Sequence, residues 1–184
     1  DATPAPDSGP LGPALLVLPA FTLSGPPRSA AEAAAQAESV VGRTVQLICD
    51  LAVRTGAHAV GSIVEAAGDE LFHTAVLAGP NGRVLGTYRQ SHDDGARAWM
   101  SRGDGLEVLE TEIGRIGLML AEDVRFPEVA GVLAAARADL IAIPTAWRGD
   151  YGGPLQDARD LFAHGYPANT HALWYAVAKC AQAY

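Results

Sequence analysis

Cysteine is scarce in this sequence of 184 residues, which contains only Cys49 and Cys180. Two cysteines without a framework spacing argue against a disulfide-stapled domain and predict a reducing, cytoplasmic setting. No apolar run is long enough to span a bilayer, because Arg137 and Asp139 interrupt the best candidate. Basic charge is also deficient, since the formal net charge is −8. We therefore expect no membrane partner and no nucleic-acid binding through a basic patch.

Apolar residues, in contrast, are abundant and make up 49% of the sequence. This proportion predicts a globular protein, and the length suits one domain with a sizeable core. The first residues show no signal-peptide pattern. Residues 1–13 are rich in Pro, Gly and Ala, which predicts a linker or a disordered tail. Residues 14–184 are predicted to form the domain.

Hydrophobic patterning predicts a mixture of strands and helices. Strands are predicted at residues 15–18, 59–65, 71–77, 83–90, 106–109, 115–120, 140–143 and 173–178. Helices are predicted at residues 29–56, 127–137 and 157–162. Ser29 and Glu32 have the spacing of a capping box, Gly56 suits a helix end, and Asn81-Gly82 predicts a two-residue hairpin turn. Because hairpins are mixed with strand–helix–strand units, we expect an α/β domain with a mixed sheet.

Four motifs occur in order along the chain. Residues 15–25 read LLVLPAFTLSG, 79–92 read GPNGRVLGTYRQSH, 114–128 read GRIGLMLAEDVRFPE, and 137–147 read RADLIAIPTAW. Together they resemble the motifs of the nitrilase, or carbon–nitrogen hydrolase, superfamily over about residues 12–180. The resemblance implies a nitrilase-like α-β-β-α sandwich, with two packed sheets between outer helices. Complete domains of this family are longer, so the resemblance also implies an incomplete domain truncated at both ends.

The resemblance implies that three catalytic positions are substituted. Ala20 stands in place of the family's general-base glutamate, Gln90 in place of its lysine, and Ala121 in place of its cysteine. A nucleophile needs a lone pair and a general base must accept a proton, and a methyl group does neither. Gln90 keeps an N–H donor but lacks the charge that stabilises a developing anion. A second glutamate of many members falls near Ala96.

Several other residues are candidates for a residual site. The family pattern implies structural roles at the former site for Asp123, Phe126, Pro127 and Glu128. We expect ligand binding through Gln90, Glu122, Arg125 and Trp147.

Glu122, beside Ala121, is the candidate substitute nucleophile or base. The alternative interpretation is a cleft carboxylate paired with Arg125 or Arg148. Ser91 and His92 are neighbours, and alternation along a strand predicts that they point apart and form no dyad.

Three functional hypotheses remain open. The first is a catalytically inactive domain that acts as a binding, regulatory or scaffold unit. The second is an active amidase- or nitrilase-type hydrolase of C–N bonds that uses Glu122. The third is a sensor that binds a small amide or carboxylate in the residual pocket.

The sequence predicts neither a cofactor nor a metal. His164 and His171 are the most suggestive ligands, but their spacing fits no short metal-binding pattern. The expected partners are a second copy of the chain, in contact through the helix at 127–137, or a fused domain in a larger protein.

Overall fold

A computed structural model describes residues 14–92 and 97–146. The strands are β1 (Leu15–Val17), β2 (His58–Ala67), β3 (Glu70–Ala78), β4 (Val84–Arg89), β5 (Val108–Thr111), β6 (Gly114–Leu118) and β7 (Leu140–Ala142). The helices are α1 (Ala30–Gln36), α2 (Arg43–Thr55) and α3 (Pro127–Ala135), and a 3₁₀ turn at Ala121–Arg125 precedes α3. The tail at 1–13, the helix at 157–162, the strand at 173–178, Ala96, Trp147, Arg148, His164 and His171 lie outside the described residues.

The strands form two sheets. The first has the order β1-β2-β3-β4, in which β1 is parallel to β2 and the other neighbours are antiparallel. The second has the order β5-β6-β7, in which β5 and β6 are antiparallel and β6 and β7 are parallel. This mixture of hairpins and parallel pairs is what the sequence predicted.

The two sheets pack face to face around a shared apolar core. Val60 and Leu77 of the first sheet meet Ile116 and Leu118 of the second. On the outer face of the first sheet, Ile48 of α2 packs among small side chains of β2 and β3. On the outer face of the second sheet, the buried side chains of α3 pack in one apolar cluster with residues of β5 and β7. The layers therefore follow the order α-β-β-α, which confirms the predicted sandwich.

The single helix predicted at 29–56 is wrong, because the structure has two helices there. Ser29 caps α1 by accepting a hydrogen bond from the Glu32 N–H at 3.1 Å. The helix then stops, since the Glu38 N–H donates to the carbonyl of Val64 in β2 at 2.9 Å. The Glu38 carboxylate accepts the N–H of Thr44 at 2.9 Å and so caps α2. Contacts with a strand distant in sequence thus override the local helical pattern.

The predicted two-residue hairpin between β3 and β4 is also wrong. Such a turn of type I′ needs positive φ at both central residues, but only Gly82 adopts it, at φ 75°. The Gly79 N–H donates to the carbonyl of Arg83 at 2.8 Å, which encloses a three-residue loop. The glycine therefore supplies the left-handed residue of the longer turn.

The helices α2 and α3 both end at a residue in the left-handed conformation, but the type of that residue differs. Gly56 ends α2 in the left-handed conformation, as predicted, at φ 65°. Arg137 occupies the corresponding position after α3 at φ 64°, where an L side chain is strained. The bonds from Arg137 to Ala134 and from Ala138 to Leu133 complete a Schellman motif there.

None of the helices in the described ranges has the length and the apolar character that a membrane span requires. No group of three His, Cys, Asp or Glu side chains in residues 14–92 and 97–146 is placed to hold a metal ion.

Candidate functional site

Three of the predicted site positions come together where strands of both sheets end. Ala20 follows β1, Gln90 follows β4, and Ala121 follows β6. All three are buried, with exposed fractions of 3%, 6% and 3%. The backbone N–H groups of Ala20 and Ala121 donate to consecutive carbonyls after β7, those of Thr145 at 3.1 Å and Pro144 at 3.2 Å. The fold therefore gathers positions that are about 100 residues apart in the sequence.

A buried chain of hydrogen bonds connects these positions. The Gln90 Oε1 atom lies 2.8 Å from His73 Nδ1, and His73 Nε2 lies 3.0 Å from the Ser62 hydroxyl. The Ser62 hydroxyl oxygen accepts the N–H of Phe21 at 2.9 Å. At the other end, Gln90 Nε2 donates to the carbonyl of Leu120 at 3.3 Å. We call this chain, from Ser62 through His73 to Gln90, the buried relay.

The chemistry of the relay fixes its donors. Burial lowers the pKa of His73 to about 3, against the opposing effect of the Gln90 hydrogen bond, so the ring is neutral at pH 7. An amide oxygen only accepts, and His73 Nδ1 must therefore carry the hydrogen. His73 Nε2 then accepts from the Ser62 hydroxyl. Phe21 stacks on the His73 ring with centroids 3.9 Å apart, which excludes water from one face.

The relay has the connectivity of a serine–histidine–acceptor triad, but its setting opposes nucleophilic chemistry. Ser62 has no exposed surface, so a substrate carbon has no approach to its oxygen. Such catalysis also passes through an imidazolium, which the lowered pKa of His73 disfavours. We interpret the relay as structural. The sequence motifs did not predict the relay. Polar residues on the inward face of apolar strands are a signal that would have indicated it.

Asp123 organises the turn that carries Ala121. It is completely buried and accepts hydrogen bonds from the Tyr88 hydroxyl at 2.9 Å, the Leu120 N–H at 2.9 Å and the His92 N–H at 3.0 Å. Burial raises the pKa of Asp123, while these donors act in the opposite direction. Ala121 itself has φ 35°, a strained value for an alanine. These contacts brace the turn, which fits the structural role that the family pattern implies for Asp123.

The prediction that Ser91 and His92 point apart is wrong. Their side chains form a hydrogen bond of 2.9 Å between Ser91 Oγ and His92 Nδ1. Both follow the last residue of β4, so the alternation of a strand does not apply to them. Asp123 Oδ1 lies 3.8 Å from the same nitrogen, His92 Nδ1. The prediction that Ser91 and His92 form no hydrogen-bonded dyad is therefore also wrong. The pair does not extend to a triad with Asp123, because a triad needs the serine and the carboxylate on opposite ring nitrogens.

Glu122 is buried beside Ala121 and pairs with a cation that no sequence pattern singled out. Its Oε2 atom lies 3.5 Å from Arg97 Nη1, and the Arg97 guanidinium lies 5.4 Å from the centre of the Phe21 ring. Glu122 Oε2 forms no hydrogen bond with any described residue. Among the described residues, Glu122 thus has an ion-pair partner, Arg97, that the sequence analysis did not suggest.

The remaining predicted residues occupy the same turn or its continuation. Arg125 ends the 3₁₀ turn, and Phe126 packs against the His92 ring with centroids 4.4 Å apart. Pro127 begins α3, and Glu128 lies in its first turn. A carboxylate there interacts favourably with the positive end of the helix dipole.

Comparison with known proteins identifies the family. The sequence model of the carbon-nitrogen hydrolases matches residues 9–179, and the chain belongs to that family. A nitrilase of Pyrococcus abyssi is 36% identical over 105 residues, which cover 56% of this chain and 40% of the relative.

Two solved structures extend the comparison. Saccharomyces cerevisiae Nit3, a member of the nitrilase superfamily, superposes with a TM-score of 0.68 at 22% identity, over 90% of this chain and 58% of its own. A mutant amidase from Nesterenkonia sp. AN1, in which acrylamide has added to the active-site cysteine, has a TM-score of 0.60 and 26% identity. The match covers 74% of this chain and 55% of the amidase. The chain therefore spans about half the length of these relatives.

Proposed function

We propose that this domain is a catalytically inactive member of the carbon–nitrogen hydrolase family that acts as a binding, regulatory or scaffold unit. The observation that carries the proposal is the use of Gln90 inside the protein. Its amide oxygen accepts from His73 and its amide nitrogen donates to Leu120. The side chain at the position of the family's lysine thus links His73 of β3 to Leu120, which follows β6.

The two alanines support the same conclusion by their chemistry. An amidase of this family has an active-site cysteine, and the position that corresponds to it by motif is Ala121. A methyl group can neither attack an amide carbon nor form a covalent intermediate. At the position of the general base, the methyl group of Ala20 cannot accept a proton.

The described cysteine is a poor substitute nucleophile. Cys49 lies on α2 and packs against the apolar clusters between that helix and the first sheet. Burial raises the pKa of its thiol, and the neighbouring Asp50 raises it further. A raised pKa reduces the fraction of reactive thiolate at pH 7.

A second candidate function is a sensor for a small amide. It is favoured by Glu122, whose buried Oε2 atom has no hydrogen-bond partner among the described residues. An amide N–H placed beside this oxygen would satisfy it. A ligand of this kind should raise the melting temperature by mass action, and Glu122→Ala, which removes the acceptor oxygen, should remove the shift.

As an inactive unit, the domain would act through its partners. We propose that these are a second copy of the chain or a fused domain of a larger protein. Val132 on α3, the helix predicted to carry such a contact, is 50% exposed.

The test is ammonia release from amides, nitriles and N-carbamoyl compounds, with and without prior thiol alkylation. We expect no turnover by the natural chain. The triple variant Ala20→Glu, Gln90→Lys, Ala121→Cys should gain turnover that alkylation abolishes, because it regains a base, a cation and a nucleophile together. Each variant is first checked for a cooperative thermal transition.

One result would overturn the proposal in favour of an active hydrolase. It is turnover by the natural chain that survives alkylation and disappears in Glu122→Gln. That result would assign the chemistry to the carboxylate beside Ala121.

A further inference from the structure

A cavity opens at the end of the sandwich opposite to the candidate site. Its volume is about 400 Å³, which is within the usual range for small-molecule sites. The first sheet contributes His58, at the start of β2, and residues of the β3–β4 turn. The second sheet contributes Glu110, Thr111 and Glu112 at the end of β5. The candidate site lies where β1, β4 and β6 end, so the two sites are separate.

His58 is the unusual residue of this cavity. It is 3% exposed and shares a strand face with Val60, which lies in the core between the sheets. Its backbone N–H donates to Ala14, but no residue in the described ranges forms a hydrogen bond with its ring. An imidazole offers two hydrogen-bonding nitrogens, and those of His58 are not among the fully enclosed unpaired atoms of the described residues. A molecule in the cavity that His58 lines can therefore reach the ring.

The charges around the cavity select the class of ligand. Glu110 is already paired with Arg115 at 3.0 Å. Glu112 is exposed and forms no ion pair with the part of the chain that the structure describes. This carboxylate attracts a cation and repels an anion. Pro80 and Leu85 add apolar surface to the same cavity.

We propose that this cavity binds a small aliphatic amine that carries a second polar group. The ammonium group pairs with the carboxylate of Glu112, the methylene groups lie against Pro80 and Leu85, and the second polar group bonds to the His58 ring. A metal ion alone is disfavoured, because these residues include no group of three ligands placed around one point. The binding does not depend on whether the domain catalyses hydrolysis.

The test compares three four-carbon probes that differ only at one end. They are 4-aminobutan-1-ol, butane-1,4-diol and 4-hydroxybutanoate, which are cationic, neutral and anionic. Binding is followed by NMR of protein with labelled histidine, and the His58 ring signals are assigned with the His58→Gln variant. Glu112→Gln removes the rim charge. Asp69→Asn makes the same change in charge at the β2–β3 turn, at the other end of β2.

We expect only the amine to shift the His58 signals. Its Kd should rise about threefold in Glu112→Gln, as for a partly exposed ion pair, and stay unchanged in Asp69→Asn. If His58→Gln does not fold, the titrations of Glu112→Gln and Asp69→Asn decide by Kd alone. Equal affinity for the diol, an unchanged Kd in Glu112→Gln, or no binding of the amine would each overturn the proposal.

Discussion

Replacing Gln90 with lysine restores the residue that the family resemblance implies, and it should nevertheless destabilise the domain. Gln90 is 6% exposed, and its Oε1 atom accepts from His73 Nδ1 at 2.8 Å. Lysine has no acceptor, so the buried His73 N–H loses its partner, at a cost of about 1–3 kcal/mol. Lysine also brings a charge into a buried site where Gln90 bonds only to neutral groups, which costs about 3–5 kcal/mol when it remains ionised.

The matched control is Gln90→Met, which removes the amide without adding a charge. Leu120 keeps a partner in both variants, because its carbonyl also accepts the N–H of Asp123 at 2.8 Å. We therefore expect Gln90→Met to lower the free energy of unfolding by about 2 kcal/mol and Gln90→Lys by about 6 kcal/mol at pH 7.

The pH dependence separates the effect of charge from the effect of shape. Burial lowers the pKa of a lysine, so its folded-state pKa falls below the unfolded value of about 10.4. Deprotonation then relieves the folded state, and the difference between Gln90→Lys and Gln90→Met should shrink from pH 7 to pH 9.5. Urea unfolding measures it. A lysine variant as stable as the natural chain at pH 7 would refute the reasoning, since the relay would then tolerate a cation.

Three further predictions test the relay, the turn and the helix end. Since burial lowers the pKa of His73 to about 3, its ring should stay neutral at pH 5 with the hydrogen on Nδ1. A nitrogen-15 NMR titration of this ring with a midpoint near 6.5 would contradict the prediction. The stability that depends on this neutral ring is complete above the unfolded pKa of about 6.5 and falls by about 1.4 kcal/mol per pH unit below it. Asp123→Ala should lower the free energy of unfolding by about 3 kcal/mol because buried donors lose their acceptor. The control Asp50→Ala, at an exposed position, should change it by less than about 0.5 kcal/mol. Similar losses for the two variants in urea unfolding would disprove the bracing role of Asp123. Arg137→Gly should raise the urea midpoint by the equivalent of about 0.5–1 kcal/mol, because glycine adopts the left-handed conformation without strain. A lower midpoint would contradict this and show that the arginine side chain stabilises the helix end.

Local patterns in the sequence were sufficient for much of the fold. The strands from β1 to β7 lie within about two residues of the predicted segments, because burial on a sheet imposes its periodicity directly on the residues. Ser29 and Gly56 marked helix ends for reasons of local hydrogen bonding and backbone conformation. The order of four motifs was enough to indicate the family that the comparison then identified.

The arrangement of the site depended on contacts between distant segments. Ser62 and Phe21 are 41 residues apart, and Gln90 and Leu120 are 30 residues apart, so no local pattern predicts that they meet. The break after α1 has the same origin, because Glu38 bonds to β2. The sequence by itself determined which residues stand at the positions that the family resemblance aligns with catalytic residues. Only the tertiary structure decided that Gln90 is held by His73 and Leu120, because hydrogen bonds form between whichever groups the packing of the two sheets brings within reach.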